Sequence, residues 1–220
     1  MPDEATESLQ PEPDSALRRE HHESPGRFFL ITISAAAFAG CVGAAFLGQW
    51  WTGISAVTLS FEAELLKGET WVTALLVTLP MFAMLFFEQR TRIVWLKELW
   101  QLSGELLGPV VARVTFAELL VVSLFAGIGE ELLFRGFLQS WLGTHGLLVA
   151  LFIPNVLFGV LHWISRSYAV CTFCIGLYFS CLLHFVDSVN LATLMIAHSL
   201  YDLGALMCLA QEMRQQISAD

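Results

Sequence analysis

Long apolar stretches without a charged residue run through this chain, and they decide its solvent before any other feature is considered. Phe28 to Trp50, Trp71 to Phe87, Leu147 to Ser165 and Ser167 to Val186 contain no Asp, Glu, Lys or Arg. A hydrocarbon core about 30 Å thick is crossed by about 20 apolar residues in helical form. In lipid a helix satisfies all its own backbone hydrogen bonds, so repeated runs of this kind predict helices and not sheet. Two further runs are apolar but interrupted. Val114 to about Ser140 contains Glu130, Glu131 and Arg135, and Ser188 to Gln211 contains His198 and Asp202. The chain is 56% hydrophobic and 14% charged, against about 25% charged in a soluble domain. No soluble fold of this length hides that much apolar surface. The expected fold is therefore all-α, a polytopic transmembrane bundle of about six to eight helices, six of them spans.

Lys and Arg mark the cytoplasmic side of such a bundle. With six spans and an inside N-terminus, the inside segments carry Arg18, Arg19, Arg27, Arg90, Arg92, Lys97, Arg113, Arg166 and Arg214, and the outside carries Lys67 alone. This bias places both termini in the cytoplasm, with the protein integral to the plasma (inner) membrane. Residues 93–112 mix Trp95 and Trp100 with Lys97, Glu98 and Glu105, the pattern of an amphipathic helix on the cytoplasmic face. Residues 1–27 form an acidic, proline-containing tail with little to bury, expected to be disordered, and its His21-His22 pair is expected to be solvated. The helical domain spans 28–212, with a polar, motif-bearing core at 115–210, and residues 213–220 form a short C-terminal tail. No internal repeat supports a repeat-built transporter. The net charge of −9 opposes nucleic-acid binding, which selects basic surfaces. The five cysteines lie in apolar runs, where cysteine acts as a small hydrophobe; the Cys171-Thr172-Phe173-Cys174 spacing is no exception.

Ionisable side chains within membrane helices are costly and mark function by default. Here they recur at helical spacing. Glu131 and Arg135 are four residues apart and can pair on one face, while Glu130 points about 100° away towards another neighbour. Gly127 and Gly129 would admit a close backbone or break the helix just before the acids. Phe158 and His162 are four apart, as are His198 and Asp202. An acid beside an imidazole can orient it, and the pair could also ligate a metal; alternatively Asp202 pairs with Arg135. Taken together, Glu, His, His and Asp supply a general base, a proton carrier and donors for an oxyanion. Without a recognisable serine or cysteine nucleophile elbow, the chemistry this set supports is attack of water on a carbonyl.

At these residues the sequence resembles the membrane-embedded CPBP (Abi) family, which includes type II CAAX prenyl endopeptidases and bacteriocin-processing enzymes. The resemblance rests on Glu130-Glu131-x-x-x-Arg135, Phe158-x-x-x-His162 and His198-x-x-x-Asp202, in order and spacing, and covers about residues 115–210. It implies an intramembrane endopeptidase acting on a membrane-anchored or lipidated protein or peptide. In that family Glu130 and His162 would activate water, His198 and Asp202 would stabilise the oxyanion, and Glu131, Arg135 and Phe158 would support the site. Asp202 departs from the asparagine common among prenyl-protein proteases, and an ionised aspartate would repel an oxyanion. It must therefore be protonated, orient His198, or bind a metal. Glu130, His162, His198 and Asp202 also match the N and O ligands that zinc accepts. Two other functions stay open: a non-catalytic membrane binding or immunity protein, and a proton-coupled transporter built on the same buried groups. A plain six-span count leaves Glu130 towards the outer side and His162 near the inner one. Their meeting then requires a helix break at Gly127–Gly129, strong tilt, or a re-entrant segment.

Overall fold

The structure, a computed structural model, describes residues 25–55, 64–90 and 93–219; the acidic segment 1–24, with His21 and His22, lies outside the described residues. All regular structure among them is helical. In chain order the elements are α1 (Pro25–Thr52), α2 (Gly68–Arg90), α3 (Val94–Val111), α4 (Phe116–Glu131), a π-helical segment (Leu132–Gln139), α5 (Ser140–Gly143), α6 (Leu147–Leu161), α7 (Arg166–Phe185) and α8 (Leu191–Ala219). The π-helical segment and α5 continue α4 directly, so seven helical rods make up the described bundle.

The rod α8 is the axis. With α2 and α7 it buries Ala74, Val77, Phe179, Leu194 and Ala197. Against α1 and the π-helical segment it contributes Met195 to a cluster with Ala45, Leu132 and Phe137. Further along, Leu209 and Ala210 pack with Val111, Val114 and Leu119. The outward faces are as apolar as these cores. Phe28, Phe29, Phe46, Trp50 and Trp51 on α1, Leu75, Leu76 and Leu79 on α2, and Leu148, Val160 and Leu161 on α6 are all exposed. Such a surface is stable only where hydrocarbon is the solvent.

Four helices are long and apolar enough to cross a membrane: Gly26–Thr52, Gly68–Phe87, Arg166–Phe185 and Leu191–Ala219. The protein is thus an integral membrane protein with about four spans, where the sequence predicts six. The other two expected spans differ for physical reasons. The third run becomes a rod that carries Glu118, Glu130, Glu131 and Arg135 and changes helix type at Leu132. The fourth is α6, only 15 residues long, about 22 Å at 1.5 Å per residue. At the other end of the chain, α8 runs on through Ala219, so residues 213–219 are helical.

Two local devices fix where the polar rod sits. Thr115 and Glu118 cap the start of α4 reciprocally, each side chain taking the other's backbone N–H. Arg27 Nη2 of α1 then reaches Glu118 Oε1 at 2.5 Å. Higher up, Gly127 lets α4 and α8 touch. A Cβ there would meet the Ser199 amide nitrogen at 2.7 Å and the Met195 carbonyl oxygen at 2.9 Å. The helix does not break at Gly127–Gly129: α4 continues through Glu131, and Gly129 instead admits Phe38 of α1.

The amphipathic helix α3 packs inward through Leu99 and Trp100, whose Nε1 donates to Glu212 Oε2 at 2.7 Å, and leaves Lys97, Glu98 and Glu105 exposed. A Cβ at its Gly108 would meet Met213 Sδ of α8 at 2.5 Å, so the glycine makes room for that side chain.

Gly127→Ala is expected to cost about 1–3 kcal/mol, because the added methyl meets backbone that cannot step aside. Gly40→Ala, where nothing lies within 4 Å of the added carbon, should be neutral or mildly stabilising. Thermal midpoints of the purified variants in detergent read this difference; equal midpoints would refute the close α4–α8 contact.

Candidate active site

Glu130 and Glu131 are neighbours in sequence but face different surroundings, as the 100° step of a helix dictates. Glu131 is fully buried, and its Oε1 accepts two hydrogen bonds, from Arg135 Nη1 at 2.9 Å and from His198 Nδ1 at 2.8 Å. A carboxylate oxygen already bound to a guanidinium accepts and does not donate, so His198 carries a proton on Nδ1 and turns Nε2 away from Glu131. Arg135 is 1% exposed. Its second terminal nitrogen donates to Asn155 Oδ1 at 3.2 Å, and its guanidinium lies 5.0 Å from the Phe158 ring centroid. Asn155 in turn donates to the Leu151 carbonyl at 2.6 Å and to Ser180 Oγ at 2.8 Å. Gly176 of α7 makes room for this group, since a Cβ there would meet Arg135 Nη2 at 2.9 Å. One polar layer therefore ties the π-helical segment to α6, α7 and α8.

Glu130 faces a cavity instead. His162, at the C-terminal end of α6, holds its ring by donating Nδ1–H to the Phe158 carbonyl at 2.8 Å, since a carbonyl can only accept. That leaves Nε2 directed at Glu130 Oε1, 3.8 Å away. From the other side His198 Nε2 lies 3.8 Å from Glu130 Oε2 and 3.6 Å from Asp202 Oδ2. These separations are too long for direct hydrogen bonds and short enough for one water or one substrate atom to bridge. All four side chains line a single cavity of about 300 Å³. Its remaining walls are largely apolar, from Met81 and Leu85 of α2, Leu99 and Leu107 of α3, and Leu206 and Leu209 of α8.

The depth conflict raised by the six-span count disappears in the geometry. From Glu130 to the turn after Gly143 the rod climbs about 20 Å, and α6 descends about 22 Å before His162. The short α6 thus returns to the level of Glu130, without a break at the glycines.

Asp202 pairs with His198 rather than Arg135. Among the described residues, no three His, Cys, Asp or Glu side chains form a ready metal-binding group, although Nδ1 of His162 and of His198 is already hydrogen-bonded and each Nε2 faces the cavity. The Cys171–Cys174 pair forms no disulfide; Cys171 lines the cavity and Cys174 is exposed.

Several participants escape a search for charges. Asn155 sits in an otherwise apolar run, seven residues before His162 and so on the same face, and that spacing was the available signal. Ser180, Gly176 and the cavity-lining Tyr168, Tyr201 and Trp100 give no comparable one, because small and aromatic residues are common in membrane helices.

Removing Arg135 would strand Glu131 in the core, and breaking a buried pair costs about 3–5 kcal/mol. Arg135→Ala should therefore lower folded yield sharply. Arg135→Lys should not restore it, because one ammonium cannot replace a fork that holds both Glu131 and Asn155. Size-exclusion profiles in detergent test this, and wild-type behaviour of either variant would contradict the scaffold role.

No curated protein and no solved structure matches the chain significantly. Residues 112–204 match the family model described as Type II CAAX prenyl endopeptidase Rce1-like. That span begins just before α4 and ends just after Asp202, so it contains Glu130, His162, His198 and Asp202 and their buried support. With the helices, the charged layer and the matched span in agreement, residues 112–204 are a domain of the Rce1-like type II CAAX prenyl endopeptidase family.

Proposed function

We propose that this protein is an intramembrane endopeptidase that hydrolyses a peptide bond of a membrane-associated substrate with water activated by Glu130 and His162. The observation that carries the reading is the position of Glu130. One of its carboxylate oxygens lies 3.8 Å from His162 Nε2 and the other 3.8 Å from His198 Nε2, in a cavity whose other walls are largely apolar.

The chemistry follows from the tautomers. His162, protonated on Nδ1, offers Nε2 as an acceptor, so a water between it and Glu130 Oε1 meets two acceptors and turns a lone pair outward. The water oxygen attacks the scissile carbonyl carbon and its proton passes to Glu130. The carbonyl oxygen becomes an oxyanion beside His198 Nε2. His198 stabilises it as the doubly protonated ring, with Nδ1–H on Glu131 and Nε2–H on the oxyanion. Glu131 and Asp202 flank that ring and supply the negative charge an imidazolium needs. In this arrangement Asp202 supports His198 and does not itself face the oxyanion as a donor. Collapse of the tetrahedral intermediate breaks the carbon–nitrogen bond, and the proton held by Glu130 goes to the leaving amine.

The apolar walls suit a lipidated or membrane-anchored chain, and family membership is consistent with prenylated proteins as one substrate class. The excess of Lys and Arg on one side supports a protein of the plasma (inner) membrane with both termini cytoplasmic. Either four or six crossings would bring the C-terminus back to the side of the N-terminus.

Glu130→Gln keeps the size and hydrogen bonding of the side chain but accepts no proton. It should fold at wild-type yield and lose about 10²–10⁴ in cleavage rate. Full activity in this variant would defeat the mechanism. Reporter fusions at residue 60 and at the C-terminus should report opposite sides of the membrane, and the same side for both would overturn the topology.

A further inference from the structure

The cavity is small for what the proposed reaction must admit. Its volume is about 300 Å³, the low end for pockets that hold drug-sized ligands. A membrane-anchored chain with residues on both sides of the scissile bond is larger, so a wall must give way. Most walls cannot do so cheaply. The α4 rod, α6, α7 and α8 are tied together by the polar layer around Arg135, and α2 is packed into the α7–α8 core through Ala74 and Val77. The remaining wall is α3, which contributes Leu99, Trp100, Ser103 and Leu107.

The two ends of α3 are held differently. At its C-terminal end Arg214 of α8 donates Nε to the Ala112 carbonyl at 2.9 Å and Nη2 to the Val114 carbonyl at 2.7 Å. Val111, Ala112 and Val114 are buried there. Between this anchor and the turns that face the cavity lie Gly108 and Pro109. Pro109 has no N–H to offer the Glu105 carbonyl, so the helix lacks a rung at that point and bends there most readily. The N-terminal end starts at Val94 with no side-chain cap. On that side Trp100, itself part of the cavity wall, is tied to α8 by the hydrogen bond from its Nε1 to Glu212 Oε2 at 2.7 Å.

We infer that α3 is the gate through which substrate enters the cavity, hinged at Gly108–Pro109 and latched by Trp100 on Glu212. What passes through it rests on the endopeptidase reading; the hinge and the latch do not. When the bond to Glu212 is released, Leu99, Trp100 and Ser103 swing out together on one helical segment, while the end held by Arg214 stays in place. The apolar part of the cavity then opens to a chain arriving from the membrane, and Glu130, His162 and His198 keep their positions because none of them is carried by α3.

The test is the rate at which pyrene maleimide, a bulky apolar reagent, modifies Cys171 in the purified full-length protein in detergent, with each cysteine read separately by fragmentation mass spectrometry. Cys171 lines the cavity, whereas Cys174 is exposed and Cys181 half-buried, both outside it. Glu212 is not part of the cavity lining, so Glu212→Ala releases the latch without enlarging the cavity. It should raise the Cys171 rate about tenfold or more, the weight of a hydrogen bond to a charged acceptor, and leave Cys174 and Cys181 unchanged. Pro109→Ala restores the missing rung and should slow Cys171 below its wild-type rate. An unchanged Cys171 rate in Glu212→Ala overturns the latch, and a parallel rise at Cys181 means general loosening and overturns the gate. A Cys171 rate in Pro109→Ala at or above that of wild type overturns the hinge. Labelling needs no turnover, so these rates judge the gate alone, and loss or retention of cleavage in Glu130→Gln judges the endopeptidase reading separately.

Discussion

A single carboxylate oxygen, Glu131 Oε1, joins the scaffold of this protein to its candidate active site. It receives Arg135 from one side and His198 from the other. Burying an acid and a guanidinium in a membrane bundle is costly unless both are paired and the remaining donors are used. Asn155 and the ring of Phe158 take up one side of Arg135, and Asn155 is itself held by Leu151 and Ser180, while Arg135 Nε and Glu131 Oε2 have no hydrogen-bond partner among the described residues. The layer can form only when the π-helical segment, α6, α7 and α8 are all in register. It therefore fixes the bundle and, by the same contact, fixes the tautomer of His198. The orientation of the cavity nitrogen follows from the requirement that keeps the core intact.

The inside-out character of the fold leaves few other ways to specify it. Outer faces and cores are similarly apolar, so burial alone does not tell one helix face from another. Close approach at Gly127 and Gly176, the capped and ion-paired start of α4, and the polar layer do that work. The sequence places its charges where they resolve this ambiguity, and the acidic cavity is built beside the layer and not apart from it.

Much of this was legible beforehand, and the parts that were not have identifiable causes. Charge-free runs revealed the membrane and the helices, because lipid leaves the backbone no alternative. The spacing of Glu131 to Arg135, of Phe158 to His162 and of His198 to Asp202 located the polar residues, because helical periodicity is fixed by geometry. The number of spans was overestimated, since an apolar run such as Leu147 to Ser165 does not declare that its helix ends at Leu161. That same early end brings His162 level with Glu130, so the error in counting and the apparent depth conflict had one origin. The π-helical segment after Glu131 left no readable mark. Asn155 was passed over because a neutral amide in an apolar run looks unremarkable until its partners are known.

The central claim is that Glu130, His162 and His198 surround the reacting carbonyl. A cryo-electron microscopy structure of Glu130→Gln with an uncleaved lipidated peptide tests it most directly. The account predicts the scissile carbonyl oxygen within about 2.7–3.1 Å of His198 Nε2, with its carbon facing the gap between residue 130 and His162. A peptide seated outside this cavity, or a scissile carbonyl turned towards Cys171, would contradict it.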